Sequence, residues 1–332
     1  MNRQLSIWKF IKKSFEENIP VMLLYVLESQ GSSPGRQGFF MAVNANKEME
    51  GSIGGGIMEH KFVEMAKEQL SVDNWQLTEG KIRKQIHDKT AGTNQSGMIC
   101  SGEQTILIYK IQEKDIYHIE KIIAALEQNK NGTLHLSPEG ILFDKDLPDK
   151  DFEFNLRSEG DPIAIGWNYA EKIGYKNRLY IIGGGHCALA FSKLMSAMDF
   201  YTHLFEDREG LNTMKANNYV HEKTVVEDYS GLVQLIPSGE NNYVVVMTFG
   251  YRTDDIAVRG LLNKDFKYFG LLGSKKKIEK MFTDYRKEGI SQDALKKIHS
   301  PIGIRIKSET PEEIAVSIAA EIIKVKNSVT AI

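Results

Sequence analysis

The sequence predicts an α/β protein whose C-terminal part is a doubly wound parallel sheet, preceded by an α+β domain. Three observations carry this. From Arg178 onward, short apolar strand-type runs alternate with helix-length stretches, the order that builds a parallel sheet with helices on its faces. The first of those runs ends in a glycine turn, "RLYIIGGGH". The N-terminal half lacks that alternation; it has hairpin-type connections and its own glycine cluster, Gly51-Ser52-Ile53-Gly54-Gly55-Gly56.

With 332 residues, the chain has room for two domains at ~100–200 residues each. The predicted division is residues 1–150 for the N-terminal domain, 151–177 for an irregular, charged linker and 178–332 for the C-terminal domain. A net charge of −2 gives no general nucleic-acid footprint. No apolar run approaches the ~20 residues of a membrane span, and the amphipathic N-terminus is not a signal peptide. The two cysteines, Cys100 and Cys187, do not make a disulfide framework, and no local spacing supplies partners for zinc. A reducing cytoplasm is the simplest compartment.

Along the chain, Leu5, Trp8, Ile11 and Phe15 recur at helical spacing. Val21–Leu27 and Phe39–Val43 read as strands around the loop "SQGSSPGRQG". A helix from about Ile57 to Leu70 places Met58, Phe62, Met65, Ala66 and Leu70 on one face. Residues 71–103 are polar; "EQTILIYKI" is a strand, Asp115–Gln128 a helix and "GTLHLSPEGILFD" a hairpin. In the C-terminal part the strands are "RLYII", "YTHLFE", "KTVVED", "NYVVVM" and "YFGLL", with helices between them. The final helix opens on Thr310 as N-cap, Pro311 at N1 and Glu313 at N3, a capping box.

Three places could carry chemistry. Gly183-Gly184-Gly185-His186-Cys187-Ala188 reads G-x-G-x-x-A between a strand and a helix, the context in which this pattern has meaning. Gly183 permits the turn, Gly185 lets backbone approach a phosphate and Ala188 allows close packing. Glu206, 18 residues after Ala188, is the preferred ribose partner, with Asp207 the alternative. The bland reading is a Rossmann-like fold whose groove is unused. The second place is the Gly54–Gly56 turn with Glu59 in the following helix. Amides at a glycine turn and a helix N-terminus make an anion cradle. Upstream lie Gly31, Ser32, Ser33 and Arg36, and Arg36 could pair with a phosphate or oxyanion. The bland reading is two tight turns against a neighbouring domain. The third is Cys100 in "SGMICSGEQ": a metal or sulfur contact, or a small buried hydrophobe. His186, beside the phosphate turn, is as readily structural as functional. His60 and the basic run "GSKKKIEK" read as solvated surface.

Together these motifs resemble the XdhC/CoxI family, the xanthine dehydrogenase accessory proteins. The resemblance covers nearly the whole chain. It is carried by "GSSPGRQG", "GSIGGGIMEH" and "MICSG", then by "YIIGGGHCALA", "FEDR", "FGLLGSKKK" and "SPIGIRI" with "TPEEIAVSIAAEII". It implies a maturation factor, not an enzyme turning over on its own. Such a protein binds molybdenum cofactor, assists its sulfuration with a cysteine desulfurase-type donor and hands it to a molybdenum hydroxylase such as xanthine dehydrogenase. The glycine loops and Cys100 would then hold the cofactor, and the Rossmann groove a nucleotide or NAD(P). A homodimer is expected, twofold assemblies being common. Two departures stand out: Cys100-Ser101-Gly102 where the family has Cys-Gly-Gly, and Thr248-Phe249-Gly250-Tyr251 where it often has a T-H-x-H pattern. The rivals are an NAD(P)-dependent oxidoreductase, for which His186 is badly placed as acid–base, and a structural scaffold for a partner enzyme.

Overall fold

The computed structural model describes residues 3–70, 81–87, 102–156 and 166–328. It divides into two compact units, Met1–Gly174 and Tyr175–Ile332. The mixed α/β class with one parallel sheet is as the sequence predicts.

The first unit begins with α1 (Arg3–Glu16), β1 (Val21–Gly31), β2 (Phe40–Asn44), β3 (Met49–Gly51) and α2 (Gly56–Leu70). It continues with β4 (Lys81–Ile86), β5 (Gly102–Lys110), α3 (Glu113–Glu127), β6 (Gly132–Ser137), β7 (Gly140–Asp144), β8 (Phe152–Leu156) and β9 (Trp167–Ile173). One antiparallel sheet has the order β3-β2-β1-β5-β4. Its central strand explains the unbroken apolar run Val21–Leu27. Val21, Leu23, Tyr25 and Leu27 face a core shared with Trp8, Ile11 and Ile122. Met22, Leu24 and Val26 face the core under α2, with Met58, Phe62 and Ala66. A strand covered on both faces has no polar side to alternate with.

A second antiparallel sheet has the order β7-β6-β9-β8. Its outer strand β8 and the adjoining β9 come from the stretch expected to be a linker, and these two strands belong to the first unit. The alternation of β9 is real: Tyr169, Glu171 and Ile173 are buried while the residues between are not. A carboxylate at the central inward position hides it. Glu171 accepts hydrogen bonds from the hydroxyls of Tyr25 (2.6 Å) and Tyr169 (2.8 Å), tying β1 to β9. Burial, reinforced by that carboxylate, pushes both phenols above the ordinary tyrosine range, so they remain donors.

The second unit runs β10 (Asn177–Ile182), α4 (His186–Met195), β11 (Phe200–Glu206), α5 (Asn212–Ala216), β12 (Glu222–Val225), α6 (Leu232–Leu235) and β13 (Gly239–Val246). Then follow α7 (Tyr251–Leu261), β14 (Phe266–Leu271), α8 (Lys275–Lys287), α9 (Gln292–Lys296), β15 (Ile298–His299) and α10 (Pro311–Asn327). The sheet is parallel throughout, in the order β12-β11-β10-β13-β14-β15. The chain winds outward from β10 to β12, then returns to place β13 beside β10. That reversal is the topological switch point, where such sheets open a crevice at their carboxyl edge. One face is closed by α4 and α10 through Ala188, Phe191, Ile318 and Ile322; Val258, Leu261 and Met281 of α7 and α8 pack on the other.

Candidate functional site

In the first unit the two glycine loops meet back to back. Gly35 approaches Ile53 so closely that a Cβ would lie 2.0 Å from the Ile53 carbonyl oxygen, and one on Gly54 would lie 2.4 Å from the Gly35 nitrogen. Gln104 of β5 pins the junction, its Nε2 donating to the carbonyls of Gly35 (2.7 Å) and Ile53 (3.4 Å). Gly102 pairs with Gly31 in the sheet, and its missing Cβ leaves room for Ser32. Thus "GSSPGRQG", "GSIGGG" and the end of "MICSG" converge on one edge of the sheet. Ser32 and Arg36 are exposed, the Arg36 guanidinium donating to the Gly31 carbonyl at 3.3 Å. Ser33 is buried, its hydroxyl donating to the Gly35 carbonyl. Cys100 lies outside the described residues.

Two findings refine the expected anion cradle. Its own helix supplies an anion: Glu59 Oε2 accepts from the Gly55 N–H (2.7 Å) and the Ser52 hydroxyl (2.8 Å). An incoming anion would compete with that carboxylate. On the other side, Gly55, at φ +72°, has nothing within 4 Å of where a Cβ would stand. Open space at Gly55 and the exposed Ser32 and Arg36 fit a bulky, anionic ligand; the hold of Glu59 moderates the attraction.

Behind the loops His87 is fully buried, 3.3 Å from the Ser33 hydroxyl. Burial lowers its pKa below the ordinary 6.5, only partly offset by Gln104. The folded protein therefore binds fewer protons here than the unfolded chain. This contribution to stability is full above about pH 6.5 and is lost as the pH falls from there through the folded value. We expect the melting midpoint of the first unit to fall between about pH 7.5 and about pH 5, and less so in His87→Gln. An equally steep decline in that variant would contradict the assignment.

In the second unit Gly183, at φ +103°, lets β10 turn beneath the end of β13; a Cβ would lie 2.5 Å from the Met247 carbonyl oxygen and 2.7 Å from Thr248 Cα. Gly185 caps α4 at φ −71° and has open space at its missing Cβ. His186 is exposed in the first turn of α4. Glu206 differs from expectation. It is fully buried, and its carboxylate accepts the Gly184 N–H (2.5 Å) and the Arg208 guanidinium (2.6 and 3.1 Å). Burial works to raise its pKa, but Arg208 and Gly184 prevail and lower it. Glu206 therefore braces the turn against Arg208. Asp207 is the more accessible acid, bonded to the Tyr229 hydroxyl at 3.1 Å, with its pKa raised by burial and by Glu206.

The stretch after β13 holds Thr248, whose N–H and hydroxyl donate to the buried Asp254. Asp254 also pairs with Lys277 at the start of α8. Among the described residues, no group of three or more His, Cys, Asp or Glu side chains is arranged to hold a metal ion. No helix among them is long and apolar enough to cross a membrane. Sequence inspection missed Gly35, His87, Gln104 and Arg208. The signals available were a glycine beside a proline and a glutamine opening an otherwise apolar strand.

A parallel sheet with an open glycine turn at its switch point, joined in one chain to an antiparallel unit bearing paired glycine loops, defines a two-unit protein of Rossmann type. The comparisons with known proteins narrow this. The model of the XdhC Rossmann domain matches residues 179–322 and that of the XdhC and CoxI family residues 14–77. The chain belongs to the XdhC/CoxI family. It is 23% identical over 328 residues to the uncharacterized protein YqeB of Escherichia coli (strain K12), covering 98% of this chain and 47% of YqeB. It thus spans about half the length of that relative. It is also 23% identical over 334 residues to a probable xanthine dehydrogenase subunit of Bacillus subtilis (strain 168), covering 96% of each. A crystal structure of a xanthine dehydrogenase from Bacillus halodurans superposes with a TM-score of 0.70 at 19% identity, covering 98% of this chain and 97% of that one. At that identity the likeness speaks for the fold.

Proposed function

We propose that this protein is a maturation factor for a molybdenum hydroxylase of the xanthine dehydrogenase kind. In this reading it binds molybdenum cofactor, assists its sulfuration with a cysteine desulfurase-type donor and delivers it to the client, acting as a cytoplasmic homodimer. The observation that carries the reading is the meeting of the two glycine loops with Gly102, the last residue of the third family motif, on one edge of the first unit, around the open side of Gly55. Ser32, Arg36 and the backbone at Gly54–Gly56 would hold the anionic end of the cofactor, with Cys100 as the sulfur or molybdenum contact. The cofactor, once in its client, supplies the oxo-molybdenum centre. This chain's residues bind and orient it, and Glu59 returns to the Gly55 amide when it leaves. That competition suits a carrier, which must release what it holds.

The test is molybdenum content of the protein purified from a cofactor-competent host, together with activation of a co-expressed client. Arg36→Ala, Cys100→Ala and Gly55→Asn are the variants. Asparagine tolerates the positive φ of Gly55, so it adds bulk to the open space with little backbone strain. Each should lower cofactor retention about tenfold or more and reduce client activity with the fold intact. Wild-type retention and activation in all three would reject the reading. Micromolar NAD(P)H turnover without molybdenum would favour the oxidoreductase.

A further inference from the structure

We infer that Ile304–Lys307, in the stretch between β15 and α10, is a docking segment for a partner protein that presents apolar and acidic side chains together. The motif "SPIGIRI" ends in this stretch, and holding a cofactor gives it no task. Identifying the partner with the client hydroxylase rests on the maturation reading; the chemistry of the segment does not. Ile304 is 37% exposed and Ile306 46%, and Arg305 and Lys307 are exposed as well. Single exposed apolar residues are ordinary on protein surfaces; here apolar and cationic side chains alternate through an exposed run. Among the described residues neither Arg305 nor Lys307 has an ion pair.

The segment is clamped at both ends. Upstream, Gly303 at φ +95° lets the chain press on α10: a Cβ there would lie 2.3 Å from the Ser317 Oγ, and its N–H donates to the Glu321 carboxylate at 2.8 Å. The Ile304 N–H donates to the Ser317 carbonyl (3.2 Å), and the Ser317 hydroxyl donates to the Ile304 carbonyl (2.7 Å). Downstream, the Glu313 carboxylate accepts from the N–H groups of Glu309 (2.7 Å) and Thr310 (3.2 Å). Between the clamps, among the described residues, the backbone of Arg305, Ile306, Lys307 and Ser308 makes no hydrogen bond. Lys307 stands at φ +57°, uncommon outside glycine. A segment with fixed ends gives up little freedom on binding, and its spare main-chain groups can pair with a partner's backbone. The isoleucines call for apolar surface and the two cations for carboxylates. Of the acids that follow, Glu313 is already spent on the helix cap, which leaves Glu309 and Glu312 to temper the positive charge. The segment has no aromatic ring on which a nucleic-acid base could stack, so the occupant is a protein.

The experiment measures binding of the full chain to a purified apo-hydroxylase of the xanthine dehydrogenase kind by biolayer interferometry over a range of salt, with hydrogen exchange on the complex. The wild type should bind, less tightly as salt rises. Arg305→Glu combined with Lys307→Asn should weaken binding about tenfold or more; asparagine tolerates the positive φ. Ile306→Ser should weaken it about fivefold. Both variants should melt with the wild type, since the altered side chains face solvent, and should retain molybdenum as it does. Amide exchange across residues 305–308 should slow in the complex. Absence of wild-type binding, wild-type affinity in either variant, or equally fast exchange in the complex overturns the inference. So does sedimentation showing that the variants lose self-association while keeping the hydroxylase, which would assign the segment to a second copy of the chain. A wild type that retains molybdenum and activates its client, with both variants doing the same, keeps the maturation reading and rejects this one. Segment-dependent binding by a protein that never retains molybdenum does the reverse.

Discussion

Gly35→Ala is expected to destabilise the first unit by about 3 kcal/mol or more, the upper range for forcing atoms into a packed interior. The single added methyl carbon would stand 2.0 Å from the Ile53 carbonyl oxygen and 2.4 Å from Gln104 Nε2. Neither neighbour can yield freely. Ile53 is fully buried in the core beneath α2. Gln104 is buried and bound to both loop carbonyls, so swinging it away leaves those carbonyls short of a donor. The loops must part instead. Thermal or urea unfolding of the first unit reads the cost directly, with Gly55→Asn as the comparison, since that position faces open space. If Gly35→Ala melts with the wild type, the junction is not as close as described. In the proposed function the same variant loses cofactor retention at temperatures where it is still folded, because the two loops form one surface.

How far the sequence led follows from particular residues. The parallel half was legible because its strands are short, apolar and punctuated by glycine, and because "YIIGGGH" sits where a strand meets a helix. Strand β9 was not legible. Its pattern is strictly alternating, but Glu171 occupies an inward position, and the tyrosine hydroxyls donated from β1 and β9 help make that burial tolerable. A local pattern cannot register a partner 146 residues away. The acids after β11 illustrate a finer limit. Spacing located Glu206 at the end of the strand, yet whether a carboxylate faces a ligand or a neighbouring arginine depends on the side chain two positions on. Likewise, Gly31, Ser32 and Arg36 drew attention by residue type, whereas Gly35, which makes the contact, looked like one more turn glycine.

The basic run at α8 separates surface from interior within three residues, and it leads to the second large effect. Lys275 is 80% exposed and solvated. Lys277 is 23% exposed and is the counter-ion of Asp254, which has no exposed surface. Lys277→Met keeps most of the aliphatic stem and removes the charge, leaving a buried carboxylate held by the N–H and hydroxyl of Thr248 without its counter-ion. Breaking such a pair from one side costs about 3 kcal/mol, or about 6–12 °C in the melting of a unit this size. The pH dependence distinguishes this from lost packing. Burial already holds the Asp254 pKa above the ordinary 3.8 despite Lys277 and Thr248. A carboxyl group with a raised folded pKa binds more protons folded than unfolded within that window, so stability falls as pH rises through it. Without Lys277 the window extends upward, because the charged form has lost its main electrostatic support. The deficit of Lys277→Met should therefore be large near neutral pH and shrink on acidification, as Asp254 takes up its proton. Asp254→Asn in the same background should recover much of the loss at neutral pH, the amide needing no counter-ion. A deficit constant across pH, or undiminished in the double variant, would mean that Lys277 matters for its stem alone.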